Sequence, residues 1–410
     1  MYHYYTYDGR TLCSAGALPY PEISALPETG EVLWVFHRPP LAGRDTFPVT
    51  DPAQLTEEEG VASLCTAPCP EDVPPALLSA IRAGRVRAGK GSHPRLEEPP
   101  APVSRPEKVR VNLLALGDVG STLLLGLRLM GGDVISSIGI CDLREGVAQR
   151  WEFELNQIQL PGPYDALPPV EIVSPEQLFD GDVFLFCASR FVPDTAVKTG
   201  DVRMAQYQLN RELAALYARK AREARYRGLF CVVSDPVDPL CRAVLTESNR
   251  APGGGMDYQG LLTCQVRGFG LGVMNARAAY YARQDPRFAS FLIDGRTFGP
   301  HGEDLVVANS IDRYDDGLSR LLTERTVHAN LQMREMGFKP YVAPALSSGA
   351  LSLLLCLRGQ WHCSSTYLGG VFMGARNRVT AAGTELERLP LPRQLQDRLQ
   401  TTMDRLRAID

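Results

Sequence analysis

The chain has no strong excess of charge of either sign and contains few histidines. Its 410 residues include 43 lysines and arginines, 47 aspartates and glutamates, and only six histidines, for a net charge of −4. So balanced a charge gives no general attraction to nucleic acid or to an anionic membrane surface. We therefore expect neither of these partners.

The sequence also lacks a long hydrophobic run. Its longest apolar stretch, "ALSSGALSLLLCL" at residues 345–357, is too short and too polar to span a bilayer. The first residues, "MYHYYTYDGR", contain no basic start followed by an apolar segment. Most of the ten cysteines stand singly in apolar strings, which is typical of buried thiols in a reducing compartment. These absences predict a cytoplasmic protein.

The pattern of metal-ligating residues is sparse. Cys65 and Cys69 form "CTAPC" and His93 follows, but the spacing is loose and no fourth ligand is evident. We expect no metal site.

Composition divides the chain near residue 105. Residues 1–105 are rich in proline and turn residues and close with "HPRLEEPPAPVSRPEK", which predicts a small N-terminal module and a linker of unknown role. Over residues 106–250, short apolar strands alternate with amphipathic helices. This alternation predicts an α/β fold with a Rossmann-type parallel sheet covered by helices on both faces.

A glycine turn follows the first predicted strand of this sheet. In "ALGDVGST", Gly117 and Gly120 allow backbone N–H groups to approach a pyrophosphate, although Ala115 stands where the usual three-glycine pattern begins. Asp142 ends the second strand, where a carboxylate can accept hydrogen bonds from the adenosine ribose and favours NAD over NADP. The predicted cofactor site consists of Gly117, Asp118, Val119, Gly120 and Asp142. The alternative is a sheet without nucleotide, whose glycines serve packing.

The order of segments from about residue 109 onward resembles the lactate/malate dehydrogenase superfamily. It includes the glycine turn, "VVSDPVDPL", "RGFGLGVMNARAAYYA", "GPHGED" and a C-terminal "MDRLRAI", whereas residues 1–105 have no counterpart. The resemblance implies an NAD-dependent oxidoreductase that transfers hydride to or from a small 2-hydroxy/2-oxo acid. It further implies an α+β substrate domain over residues 251–410 and assembly into a homo-oligomer, a dimer or tetramer.

The resemblance also assigns roles to residues. His301 matches the family's acid/base, and imidazole titrates near neutral pH as that role requires. Arg277 matches the arginine that grips the substrate carboxylate through two parallel hydrogen bonds. Arg203, directly after the predicted lid loop at residues 189–202, matches a second catalytic arginine that polarises the substrate carbonyl.

Substrate preference is expected to depend on the same pocket. Val342 is predicted to bind the substrate and to favour an apolar substituent. In the lid loop, a lysine at the discriminating position, Lys198, would favour a second carboxylate, whereas Val197 would favour an apolar group. The sequence predicts no more than a 2-hydroxy or 2-oxo acid.

Two positions depart from the family pattern. The aspartate that orients the histidine, three residues before the carboxylate-binding arginine, is here Met274. The family's asparagine beside the substrate carbonyl is here Asp235. We hypothesise that Asp235 contacts the substrate and supplies the missing negative partner of His301, with Asn275 as another candidate for orienting the imidazole.

These departures leave other functions open. A non-catalytic dinucleotide-binding protein, a sensor or an assembly subunit, would tolerate the loss of the orienting aspartate. A third alternative is the NAD- and metal-dependent glycosidase branch of the same fold, which would use a cysteine such as Cys241 beside a metal.

Overall fold

The computed structural model describes residues 2–91, 107–190 and 201–409, with side chains from residue 207 in the last range. Within these ranges, strands and helices are numbered in chain order. No helix in the described ranges combines the length and apolar character needed to cross a membrane.

The first ninety residues form a six-stranded mixed sheet of their own. Its strands are β1 (His3–Tyr7), β2 (Arg10–Ser14), β3 (Glu22–Ile23), β4 (Val32–Phe36), β5 (Thr46–Pro48) and β6 (Val86–Lys90), in the order β3-β1-β2-β4-β6-β5. Helix α1 (Pro75–Arg82) buries its apolar side, including Leu77 and Ile81, in a cluster with Trp34 and Phe47 of this sheet. This burial gives the segment a hydrophobic core of its own.

A nine-stranded sheet dominates the rest of the chain. Six parallel strands and their helices come first: β7 (Val109–Leu114), α2 (Asp118–Met130), β8 (Ile135–Cys141), α3 (Val147–Asn156), β9 (Val170–Ile172), β10 (Val183–Phe186), α4 (Asp201–Glu223), β11 (Leu229–Val232), α5 (Val237–Ser248) and β12 (Val266–Gly268). Their order β9-β8-β7-β10-β11-β12 is the doubly wound arrangement that binds dinucleotides at its central crevice. Most residues of these strands are apolar because helices cover both faces.

The C-terminal elements add three antiparallel strands to the same sheet and form a separate two-stranded sheet. They are α6 (Leu271–Gln284), α7 (Phe291–Asp294), β13 (Arg296–Phe298), β14 (Val306–Ala308), α8 (Asp316–Glu335), a π-helical segment (Pro344–Leu351), α9 (Ser352–Leu357), β15 (His362–Leu368), β16 (Val371–Thr380), β17 (Gly383–Leu386) and α10 (Arg393–Arg407). Strand β15 pairs antiparallel with β12 through Gly268 and Ser365, and β16 and β17 follow outward. The α/β fold class predicted from sequence is confirmed.

The N-terminal segment is packed tightly against these outer strands. Asp45 and Thr263 exchange two hydrogen bonds, at 2.9 and 3.1 Å, each from a backbone N–H to the other's side chain. Val61 and Leu64 are buried in one cluster with apolar residues of α10. The N-terminal segment therefore contributes directly to the C-terminal core.

Candidate active site

The glycine turn lies between β7 and α2, at the crevice edge of the sheet. Ala115 adopts a left-handed backbone conformation (φ 76°), which costs an alanine about 1 kcal/mol relative to the ordinary region. A Cβ at Gly120 would overlap the carbonyl oxygen of Ala115, whereas a Cβ at Gly117 would meet nothing within 4 Å. Gly120 thus permits the close approach of helix to turn, and Gly117 leaves open space beside the N-terminus of α2.

The other predicted cofactor residues border this turn. Asp118 opens α2 and forms an ion pair with Lys339 at 3.1 Å, while Val119 occupies the next position of the helix. Asp142 follows β8 and its carboxylate accepts the backbone N–H of Leu116 at 2.7 Å. The adjacent strands β7 and β8 therefore bring the glycine turn and Asp142 together.

His301 is held in one orientation by the loop that precedes α6. Its Nδ1 lies 3.0 Å from the carbonyl oxygen of Gly270, and its backbone N–H donates to Asp238 at 3.2 Å. A carbonyl can only accept, so Nδ1 carries the proton and Nε2 is the nitrogen free to exchange one. Nε2 lies 4.0 Å from Oδ1 of Asp235.

Gly270 and Ser348 also fix the position of the His301 imidazole. A Cβ at Gly270 would lie 2.8 Å from Cβ of His301, so only glycine allows this approach. Ser348, from the π-helical segment, donates to the Gly270 carbonyl at 2.7 Å and accepts the N–H of Val273 at 2.8 Å. Neither role was predicted, because a serine and a glycine in apolar strings carry no sequence signal of contact with a distant histidine.

Asp238 is buried directly beneath the His301 loop. Burial raises the pKa of its carboxyl to about 6, against the lowering effect of the nearby Ser365 hydroxyl and of the hydrogen bond from the backbone N–H of His301. The carboxyl contacts the backbone of His301 and not its ring. The sequence did not distinguish Asp238 from Asp235, three residues earlier.

Arg277 is a partly buried guanidinium on α6. Burial lowers its pKa, while the nearby Tyr281 and Asp235 act in the opposite direction. Among the described residues, its one hydrogen bond runs from Nη1 to Sδ of Met274 at 3.5 Å, and no carboxylate lies within 4.0 Å of it. The guanidinium therefore has donor capacity available for an anion.

The remaining predicted residues differ in their distance from His301, and Asp235 lies beside its ring. Asp235 is half exposed (53%) and is within electrostatic range of both Nε2 of His301 and Arg277. Its carboxylate faces Nε2 rather than Nδ1, so the orienting partner of the ring is the Gly270 carbonyl. Asn275 accepts a hydrogen bond from Thr297 at 3.2 Å, and Val342 is exposed to solvent.

One buried amide links the base of the lid loop to Asp235. Asn210 of α4 accepts the N–H of Arg190 at 3.0 Å and donates to the backbone carbonyl of Asp235 at 2.8 Å. The rest of the lid, with Val197 and Lys198, and the side chain of Arg203 lie outside the described residues.

No metal centre is apparent in the ranges described. These residues contain no group of three or more histidine, cysteine, aspartate or glutamate side chains able to hold an ion. Cys241 is buried in α5, and burial holds the pKa of its thiol well above the usual value. Cys69 is exposed and Cys65 half-buried, while His93 lies outside the described residues.

Comparison with known proteins adds the family context. No family model matches the chain. L-lactate dehydrogenase of Mesomycoplasma hyopneumoniae is 24% identical over 204 residues, covering 49% of this chain and 58% of that protein. L-lactate dehydrogenase 2 of Staphylococcus aureus is 24% identical over 196 residues, covering 47% and 54%. The chain thus spans little more than half the length of the curated relatives it matches.

Solved structures agree over a longer part of the chain. The minor L-lactate dehydrogenase of Enterococcus mundtii superposes with a TM-score of 0.59 at 19% identity, covering 74% of this chain and 98% of that one. Malate dehydrogenase of Plasmodium falciparum gives a TM-score of 0.57 at 14% identity, covering 73% and 96%. The resemblance to the lactate/malate dehydrogenase superfamily is confirmed at the level of the fold.

Proposed function

We propose that the protein is a nicotinamide-dinucleotide-dependent oxidoreductase that interconverts a small 2-oxo acid and the corresponding 2-hydroxy acid. The single observation that carries the proposal is the orientation of His301. Its Nδ1 is fixed on the Gly270 carbonyl, and its Nε2 faces Asp235, whose charge also acts on Arg277. An imidazole with one free nitrogen suits proton transfer, and a guanidinium with available donors suits an anionic substrate.

A bound reduced cofactor, which the sequence predicts to be NAD, would supply hydride to the carbonyl carbon. His301 would donate the Nε2 proton to the carbonyl oxygen, which gives the hydroxy acid, and would remove that proton in the reverse direction. Arg277 would hold the carboxylate through parallel hydrogen bonds. Arg203 would polarise the carbonyl, as the resemblance implies, and Val342 would limit the substituent.

The open space at Gly117 supports dinucleotide binding, because the backbone N–H groups at the start of α2 can reach a pyrophosphate there. We propose the organisation predicted from sequence, with residues 106–250 binding the cofactor and residues 251–410 the substrate. A cytoplasmic homo-oligomer, dimer or tetramer, belongs to the same proposal.

A non-catalytic dinucleotide sensor is the second candidate. The observation that favours it is the partner of His301 Nδ1, since the neutral Gly270 carbonyl stabilises an imidazolium less than the carboxylate that Met274 replaces. The two candidates differ in whether bound cofactor is turned over.

Cofactor fluorescence and absorbance separate these functions. Titration with NADH and NADPH measures binding, and a panel of 2-oxo acids is then screened for loss of absorbance at fixed enzyme and reduced cofactor. The variant His301→Gln should bind cofactor normally and lose at least a hundredfold in kcat. His328→Gln, a matched change at an exposed histidine on α8, should behave as the wild type. Binding without turnover of any 2-oxo acid would favour the sensor.

A further inference from the structure

The carboxylate of Asp142 has its hydrogen-bonding capacity filled by the protein itself. Oδ2 accepts the backbone N–H of Leu116 at 2.7 Å, and Oδ1 accepts the backbone N–H of Arg144 at 2.9 Å. The guanidinium of Arg144 adds bonds to both oxygens, Nε to Oδ1 at 3.0 Å and Nη2 to Oδ2 at 3.1 Å. Four donors occupy the four lone-pair positions of a carboxylate, whose side chain is only 5% exposed. A ribose diol would have to displace Arg144 to reach it.

Arg144 is instead the polar group presented to solvent at this end of the crevice. Its side chain is 63% exposed, and Nη2 also donates to the carbonyl oxygen of Leu116 at 3.1 Å. Nη1 forms no hydrogen bond with a described residue. The guanidinium is therefore fixed along one edge, by Asp142 and the glycine turn, and keeps donors available along the other.

The charges of Asp142 and Arg144 also compensate each other. Burial raises the pKa of Asp142, but the hydrogen bonds from Arg144 and from two backbone N–H groups outweigh it and leave the pKa below its usual value. The same hydrogen bond raises the pKa of Arg144. The carboxylate charge that would repel a phosphate group is thus compensated by its neighbour.

We infer that Arg144 makes the adenosine end of the proposed cofactor site selective for a 2′-phosphorylated dinucleotide, NADPH over NADH. A planar guanidinium offers parallel donors that match phosphate oxygens, and an arginine after the second strand can accommodate a 2′-phosphate. The unphosphorylated ribose finds no free acceptor on Asp142. The inference rests on the proposed dinucleotide binding, and it replaces the preference for NAD that Asp142 suggested in the sequence.

The test is a fluorescence titration of the full chain with NADPH and with NADH. The wild type should bind NADPH at least tenfold more tightly. Arg144→Ala should weaken NADPH binding about tenfold and leave NADH binding unchanged or tighter, because Asp142 is then released to accept from the ribose. Arg144→Lys keeps the charge without the planar fork and should retain part of the preference. Arg150→Ala removes an equally exposed cation from α3 and should change neither dissociation constant more than twofold.

Three outcomes would overturn the inference, and they differ from failure of the proposed function. NADH bound tenfold more tightly than NADPH by the wild type would show that Asp142 does accept from the ribose. Equal weakening of both dinucleotides in Arg144→Ala would show stacking on the adenine ring rather than phosphate recognition. Dissociation constants for both dinucleotides that stay unchanged in that variant would show that Arg144 does not contact the cofactor. Absence of binding by either dinucleotide would defeat the proposed function as well.

Discussion

Nδ1 of His301 lies 3.0 Å from the carbonyl oxygen of Gly270, at the position where a carboxylate would be expected in a dehydrogenase of this fold. The contact fixes the tautomer as a carboxylate would, because a carbonyl oxygen only accepts. It brings no negative charge to the ring, so the protonated imidazole is stabilised less. Asp235 lies on the opposite side of the ring, with Oδ1 4.0 Å from Nε2.

Ser348 should act on turnover through the Gly270 carbonyl. In Ser348→Ala that carbonyl keeps only the imidazole as side-chain partner, and the buried N–H of Val273 loses its acceptor. We expect the free energy of unfolding to fall by about 1–3 kcal/mol. We also expect kcat to fall several-fold with little change in KM, because the imidazole is less well fixed while the carboxylate contact is intact.

Ser352→Ala is the control for this prediction. The Ser352 hydroxyl donates to Ser347 at 2.7 Å and does not contact Gly270. The Ser352→Ala variant should have a lower free energy of unfolding and an unchanged kcat in steady-state assays. Equal effects of the two variants on kcat would show that Ser348 acts on stability alone.

Ala115 should be replaceable by glycine with a gain in stability. Its left-handed backbone (φ 76°) is strained for alanine, and the relief exceeds the extra flexibility of glycine in the unfolded chain. We expect Ala115→Gly to raise the free energy of unfolding by about 0.5–1 kcal/mol, with dinucleotide binding retained. Ala188→Gly, at a position without positive φ, should have the opposite sign in the same denaturation experiment. A loss of stability in Ala115→Gly would contradict this account.

The alternation of strands and helices and the glycine turn were sufficient to predict the α/β fold and the neighbourhood of Gly117 and Asp142. Sequence could not show that the lone pairs of Asp142 are taken by Arg144, since that depends on how a side chain folds back over two residues. It could not show Ser348 either, because 47 residues separate it from His301 and only packing of the π-helical segment joins them. The resemblance predicted which residues form the site, whereas the contacts of their side chains depend on the folded geometry.

Asp238 should make stability depend on pH. Its folded pKa of about 6 lies above the ordinary value of 3.8, so the folded state holds a proton that the unfolded state has released between these pH values. Stability from this group is therefore greatest below about pH 4, falls as pH rises to about 6, and is then constant. The total change is about 3 kcal/mol at 1.36 kcal/mol per pKa unit.

Asp238→Asn removes the titrating group and keeps an oxygen to accept the backbone N–H of His301. The difference in unfolding free energy between this variant and the wild type, measured by urea denaturation from pH 4 to 7, should grow with pH in favour of the variant. A difference that stays flat over this range would mean that Asp238 remains ionised in the fold.

Glu59 should couple the N-terminal segment to the rest of the fold. Its carboxylate is only 2% exposed and accepts from Arg38 Nη1 and from the backbone N–H of Arg44, each at 2.6 Å, and from the Arg44 guanidinium. The same segment supplies Val61 and Leu64 to the C-terminal core. Glu59→Gln would leave two guanidinium groups without their counter-charge, and removal of one member of a buried ion pair costs about 3–5 kcal/mol.

Because the segment shares a core with α10, we expect this loss to appear as a single cooperative unfolding transition at a lower denaturant concentration. Tryptophan fluorescence and circular dichroism should report the same transition. Glu22→Gln, which affects only an exposed pair with His3, should not change the denaturant concentration at the midpoint of the transition. If the segment were an independent tethered module, Glu59→Gln would instead separate the transition into two, with the dehydrogenase-like part unfolding at its original denaturant concentration. That result would support the predicted division near residue 105 as a boundary between units that fold separately.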